Sequence, residues 1–293
     1  MHARVLWVFI TVFGLSLSAR AFAEEAKEKK EAPPPPVSVF ADKNLESAVR
    51  KFVFAKRYNE EPIVEEDVRN LSTIVARGKK ITNLAGLEKC RSLALLDLND
   101  NEVVDLAPIK DLKKLQSLDL GKNKVSNLGP LSGLAALQYL ILAENQVADL
   151  GPLAPLANLY TLDLAKNKVQ KVDVLAAHKK LWSLYLDENQ VTDLGPLKDL
   201  KWLSSLGLRG NQLTDISALS GMTELKYLLL ENNKLQDVSV LVDMAKKDND
   251  KRFAPFWRVY LTENPLSADA KGAQLTALKE MGGRVTFTSQ ADF

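Results

Sequence analysis

The sequence predicts an α/β solenoid: a right-handed curved horseshoe with short parallel strands stacked on its concave side, a helical N-terminal cap and a helix-strand C-terminal cap. Three observations predict it. Asparagine recurs at an unbroken spacing of 22 residues, at Asn101, Asn123, Asn145, Asn167, Asn189, Asn211 and Asn233. Around each stands one apolar frame, Leu-x-x-Leu-x-Leu-x-x-Asn-x-Val/Leu, as in Leu93, Leu96, Leu98, Asn101, Val103 and again in Leu181, Leu184, Leu186, Asn189, Val191. The frame degrades only at its ends, where capping segments are expected. A period of this length marks a chain wound in coils, each burying its apolar edge against the next.

Within a rung, Leu-x-Leu alternates inward and outward side chains, so it reads as a strand, and successive strands stack in parallel at roughly 4.8 Å. Eight asparagine rungs then make a sheet roughly 35 Å across. The asparagine sits inside, where the chain turns away from the strand, and its amide must bond backbone groups of its own and neighbouring rungs. Asn101 to Asn233, with Asn264 in the last rung, therefore form a structural ladder. Four positions after each asparagine runs a second column: Asp105, Asn127, Asp149, Lys171, Asp193, Asp215, Asp237. Its carboxylates invite a metal reading, but Lys171 interrupts the row, and Asp or Asn at a turn start caps backbone N–H groups. Pro108, Pro130, Pro152 and Pro196 stiffen the return segments on the convex side.

The elements follow in order. Residues 1–23 carry Arg4, an apolar run from Val5 to Leu17 and Ala21-Phe22-Ala23 before Glu24, the layout of a cleavable secretory leader. The run is short for a membrane span. Residues 24–39, charged and then four prolines, read as a solvated linker. In residues 40–71, Phe40, Leu45, Ala48, Val49, Phe52 and Val53 line one helix face, with Asp42 or Asn44 as its cap. A second helix is predicted over Glu65–Leu71.

The repeats occupy residues 72–266. The first rung is Leu71, Ile74, Ala76, Lys79 and Ile81, with Lys79 in the asparagine position. The last places Phe256, Val259, Leu261 and Leu266 in the apolar positions around Asn264, which stands 31 residues after Asn233. The extra residues lie within 245–254 and are predicted to loop out. Residues 267–293 form the closing cap: Ser267 starts a helix through Leu275, Leu278 and Met281, Gly282-Gly283 ends it, and a strand follows over 284–287.

Asn-x-Val-x-Asp-Leu-x-Pro-Leu-x-x-Leu, at 189–200, resembles the 22-residue class of leucine-rich repeats in bacterial internalin-like proteins. The resemblance runs from Phe40 to the C-terminus and includes the cap, where Phe40, Asp42, Leu45 and Val49 are followed by Ile63 and Asp67. The family's threonine cap of the second helix is replaced by Val64. The resemblance implies a leucine-rich-repeat solenoid that binds proteins or carbohydrates, without a cofactor. The family's sortase motif and wall-binding repeats are not in the sequence.

Composition narrows the function. Cleaving the leader would remove Arg4 and Arg20, so 39 basic residues become 37, against 37 acidic ones. Such neutrality speaks against nucleic acid and against stable membrane association. Cys90 is the sole cysteine, so the solenoid closes its ends by packing, which favours a bacterial exported protein, periplasmic, secreted or at the cell surface. Cys90 and His178 fall in one convex core column, four rungs and roughly 19 Å apart, too far for a catalytic pair. Both read as packing residues, with an outward turn of His178 left open.

The outward strand positions carry the candidate site. Tyr139, Ile141, Tyr185, Tyr227, Leu229 and Tyr260 lie there, with Asp97, Asp119 and Asp163 toward one side. Tyr160, Trp182 and Trp257 flank them, and Arg209 stands nearby. Tyrosine, tryptophan and arginine dominate interface energetics. The first reading is a non-catalytic monomer that captures a protein partner on its concave face. The alternative is carbohydrate or cell-wall binding, with sugar rings on the aromatic faces.

Overall fold

The computed structural model describes residues 35–287, so the leader and most of the proline-rich linker lie outside the described residues. Contacts divide the chain between Pro36 and Val37, and the unit from Val37 onward holds the solenoid. Its frame leucines cannot stay in water. Leu96, Leu118, Leu140, Leu162, Leu184 and Leu228 are all fully buried, each at the middle of a three-residue strand.

Ten such strands form one parallel sheet in sequence order. They are β1 (Thr73–Val75), β2 (Leu95–Asp97), β3 (Ser117–Asp119), β4 (Tyr139–Ile141), β5 (Thr161–Asp163), β6 (Ser183–Tyr185), β7 (Ser205–Gly207), β8 (Tyr227–Leu229), β9 (Arg258–Tyr260) and β10 (Arg284–Thr286). Eight come from the asparagine rungs, β1 from the atypical first rung and β10 from the C-terminal cap. From β1 to β8 the register advances by one repeat at each step, Ser117 opposite Tyr139 and Tyr139 opposite Thr161. Like positions therefore sit side by side across the sheet.

The asparagines hold that register. Asn123 Nδ2 donates to the carbonyls of Leu98 in the preceding rung and Leu120 in its own, both at 3.0 Å, while its Oδ1 accepts the Val103 N–H at 2.9 Å. The pattern repeats to Asn264, whose amide joins Leu230 O, Leu261 O and Leu235 N. The residue before each asparagine turns the chain in the left-handed region: Asp100, Lys122, Glu144, Lys166, Glu188, Asn232 and Glu263 have φ between 52° and 59°, and Gly210 has φ 63°. A side chain there costs roughly 1 to 2 kcal/mol, and the buried amide bonds next door fix the turn in place.

The return segments are single 3₁₀ turns such as Gly151–Leu153 and Gly195–Leu197, each with proline inside its first turn. The second column caps them. Asp149 Oδ1 accepts the Gly151 N–H at 2.8 Å, Asp193 Oδ1 that of Gly195 at 2.7 Å, and Asn127 Oδ1 that of Gly129 at 2.9 Å. Their oxygens are spent on local backbone.

At the N-terminus, α1 (Lys43–Arg50) buries Leu45, Ala48 and Val49 over the first rung. Its cap is Asp42: one carboxylate oxygen accepts the N–H groups of Asn44 and Leu45, and the other those of Thr82 and Asn83. One side chain thus caps the helix and docks it. Burial alone would raise the Asp42 carboxyl, but these four N–H donors together bring it below the ordinary range. The second helix, α2 (Glu65–Val68), is shorter than the sequence suggests. Val64 offers no side-chain cap, and its own N–H is taken by Asp67 at 2.8 Å.

Two expectations fail at the C-terminal end. The segment before residue 245 is not a plain return, because α3 (Ser239–Lys247) replaces the 3₁₀ turn and buries Leu241, Val242, Met244 and Ala245. Only the residues after it loop, tied by Asp248, whose carboxylate accepts the N–H groups of Arg252, Phe253 and Ala254. The longer excursion also changes how the chain enters β9. Phe256, in an apolar frame position, is 61% exposed, whereas Trp257 is 1% exposed and donates its indole N–H to Leu225 O. Trp257 is therefore core and leaves the outward set. α4 (Leu275–Glu280) then buries Leu275 and Leu278, and Gly282, at φ +96°, turns the chain into β10.

Candidate binding face

Outward strand side chains make two parallel columns, the first and third residues of each strand. In the first column stand Leu95, Ser117, Tyr139, Thr161, Ser183, Ser205, Tyr227, Arg258 and Arg284. In the third stand Asp97, Asp119, Ile141, Asp163, Tyr185, Gly207, Leu229 and Tyr260. Tyr160 and Trp182 precede β5 and β6 by one residue and join the first column at its edge.

These aromatics touch. The Tyr139 and Tyr160 rings meet edge to face at 6.1 Å and 60°, and those of Tyr160 and Trp182 stack at 6.1 Å and 4°. Three rungs thus carry one continuous aromatic strip. Tyr139 and Tyr160 remain 44% and 40% exposed, although the protein interior would accept such rings. Further along, Tyr185, Tyr227 and Leu229 line a shallow hollow floored by β7. Beside it Gly207 lets the Tyr185 ring and the Asp187 carboxylate close over the strand: a Cβ there would come within 2.9 Å of the ring and collide with the carboxylate. Ile141 and Tyr260 are half-buried beside their neighbours.

The acidic group divides. Asp97 is buried, because the guanidinium of Arg77 in the preceding rung closes over it. It is not available to a partner. Asp119 accepts from Asn99 Nδ2 at 3.2 Å and lies 3.6 Å from Arg77. Asp163 has no ion-pair partner among the described residues. Burial raises its carboxyl above the usual range, the nearby Asp119 charge adds to this, and the Ala165 N–H only partly opposes it.

That shift has a sign in stability. A carboxyl raised on folding favours the folded state below its ordinary value of 3.8, and this is lost as pH climbs through the folded value. Asp163→Asn should therefore stabilise the protein at neutral pH. Denaturation midpoints of the two proteins are expected to converge in acid and separate toward neutrality; an equal gap at every pH contradicts the assignment.

Arg209 lies half-exposed and pairs with Glu231 at 3.2 Å. With Asp187 they form a cluster two positions after the third strand residue in successive rungs; of the three only Arg209 belongs to the sequence-predicted site. Burial raises the Asp187 carboxyl, Arg209 opposes, and Glu231 adds to the rise. Glu231 Oε2 is buried with no hydrogen-bond partner among the described residues. Reading that column at the rung period would have found Asp187 and Glu231 as well.

The two candidate nucleophilic or acid-base residues stand elsewhere. Cys90 is fully buried, and burial, aided by the Glu88 charge, pushes its thiol up to about 12. His178 does not turn outward: it is fully buried, with Nε2 3.0 Å from Leu153 O and Nδ1 3.2 Å from Val174 O. Those two carbonyls of the convex side replace the apolar contacts of the leucine column. Among the described residues no His, Cys, Asp and Glu group is arranged to hold a metal, and no helix is long and apolar enough to cross a membrane.

Comparison with known proteins agrees with this architecture. A family model described as leucine rich repeat matches residues 91–147, and one described as leucine rich repeats (2 copies) matches 179–221 and 201–243. Internalin C2 of Listeria monocytogenes is 30% identical, with a TM-score of 0.69, over 79% of this chain and 100% of that one. The functional domain of InlJ from the same organism, which includes a cysteine ladder, is 22% identical at a TM-score of 0.61, over 85% of this chain and 54% of that one. The plant peptide hormone receptor RGFR1, solved in complex with RGF2, is 22% identical at a TM-score of 0.55, over 67% of this chain and 34% of that one. The latter two share the fold. No curated protein sequence matches. Leucine-rich-repeat proteins generally mediate protein–protein interaction, and the internalin-like fold is typically non-catalytic. The repeat models, the cap and the similarity to internalin C2 over 79% of this chain place it in the internalin-like family of leucine-rich-repeat proteins.

Proposed function

We propose that this chain is an exported, non-catalytic binding module that captures a protein partner on its concave sheet. The observation that carries the reading is the contiguous strip of Tyr139, Tyr160 and Trp182, the first two exposed and the third half-buried, on a surface where isolated polar residues would serve the fold equally well. The desolvated Asp163 and Asp187 support it, since each holds a charge in a setting that disfavours it. Export rests on the leader composition of residues 1–23.

Carbohydrate binding is the second reading, favoured by the flat Tyr160–Trp182 stack. Stacked on one another, however, these rings cover part of the faces a sugar would need. The test is capture from the native cell envelope by immobilised wild type and by the Tyr139→Ala, Tyr185→Ala, Tyr227→Ala triple variant, beside a glycan array. Loss of a captured protein in the triple variant is the expected result; an unchanged catch, or binding to glycans alone, overturns the reading.

A further inference from the structure

At the C-terminal end of the sheet three cations meet over an aromatic floor. Arg258 and Arg284 stand directly opposite one another on β9 and β10, and Tyr227 is opposite Arg258 on the other side. Lys226, Tyr227, Pro255, Phe256, Arg258 and Arg284 line one concavity. Arg258 lies over the Tyr227 ring at 5.2 Å and Lys226 over the Phe256 ring at 6.0 Å. Like charges directly across a strand pair destabilise a sheet. No carboxylate among the described residues lies within ion-pair distance of the three.

Elsewhere on the rungs, several cations have carboxylate partners. Arg77 has Asp97, Lys124 has Glu102, Lys166 has Glu144, Arg209 has Glu231 and Arg252 has Glu224. On the concave side Arg77 and Arg209 are thus neutralised, whereas Arg258 and Arg284 have no such partner among the described residues. Phe256 adds a large apolar ring left 61% exposed because Trp257 occupies the core in its place.

Resting on the concave-face reading, we propose that this pocket anchors an acidic residue of the protein partner, with an adjacent large apolar side chain on Phe256. The charge pattern of the rest of the face selects the occupant. Asp119, Asp163, Asp187 and Glu231 run along the same sheet toward the N-terminal cap. An extended anionic surface, such as a phospholipid bilayer, would be repelled along that length. A peptide segment with a local carboxylate at one end and neutral or basic residues at the other matches both signs.

The test uses the full-length mature protein and a short synthetic peptide with lysine near its start and a Phe-Glu pair near its end. A second peptide carries glutamine for the glutamate. Titration calorimetry compares both on wild type and on the Arg258→Gln, Arg284→Gln double variant. The glutamate peptide is expected to bind wild type about tenfold more tightly than the glutamine peptide, and the two to bind the double variant alike. Equal binding of both peptides to wild type, or no binding of either, overturns the anchor.

Two further arms test the other occupants. Binding to phosphatidylglycerol vesicles that requires Arg258 and Arg284 would make the pocket a lipid site and overturn the proposal. Peptide binding that appears only in a chain ended at Phe287 would make the protein's own terminal segment the occupant, and the proposal would fall in that case too. If the double variant still captures the native partner while the triple tyrosine variant does not, the concave-face reading stands and only the anchor falls.

Discussion

Asn189→Ala is expected to lower the unfolding free energy by about 3 kcal/mol, the largest loss from any single polar residue of the sheet. Asn189 is buried, and its Oδ1 accepts the Val169 N–H at 2.8 Å while Nδ2 donates to Leu164 O at 2.8 Å and Leu186 O at 3.1 Å. Alanine supplies neither donor nor acceptor, and no water reaches these groups without opening the rung. Each buried polar group left unpaired costs about 1 to 3 kcal/mol. Glu188, at φ +52°, also loses the neighbour that fixes its turn. Because each coil contacts only its neighbours, the damage should lower cooperativity between the two halves of the solenoid as well as total stability. Urea unfolding followed by circular dichroism measures both. Thr192→Ala, an exposed change in the same rung, should stay within about 0.5 kcal/mol of wild type.

The second large effect is on binding. Replacing Tyr139, Tyr185 and Tyr227 together by alanine is expected to weaken partner capture by more than about a hundredfold, because buried interface tyrosines commonly contribute about 1 to 2 kcal/mol or more each. The fold should survive. Tyr139 and Tyr227 are over two-fifths exposed, so few core contacts are lost, and strand propensity alone costs well under about 1 kcal/mol per site. What does disappear is local: the Tyr139–Tyr160 edge contact and the ring beneath Arg258. Unchanged circular dichroism with lost capture separates a binding role from a folding one; lost secondary structure would mean that these rings hold the sheet.

The repeats are legible because their causes are local and periodic. The frame leucines, the asparagine ladder and the aspartate caps each answer a need that recurs every rung, so spacing alone locates them. The positions that escape depend on something outside the frame. Trp257 and Phe256 exchange places because α3 lengthens the path into β9, and the frame carries no information on the direction of entry. Helix α3 itself is visible in Leu241, Val242, Met244 and Ala245, yet the frame assigns those residues to a return segment. Asp97 shares its column with Asp119 and Asp163 but is closed off by Arg77 of the first rung, whose charge no single-column reading pairs with it. His178 occupies a leucine position and stays inside because the two carbonyls flanking its ring come from convex segments 25 and 4 residues away. Most left-handed turns are hidden for another reason: apart from Gly78 and Gly210, the position holds Asp, Lys, Glu or Asn where glycine would have announced it.

Whether the aromatic side of the sheet holds a protein can be read by site-specific photo-crosslinking in cells that make the protein natively. A photoreactive amino acid is placed at Thr161, between Tyr139 and Ser183 in the sheet, and separately at exposed Ala154 on the convex turn. A discrete protein adduct from position 161 and none from 154 is the expected result. An adduct from 154 alone, or irradiation that leaves position 161 unjoined while the partner is otherwise captured, would contradict it.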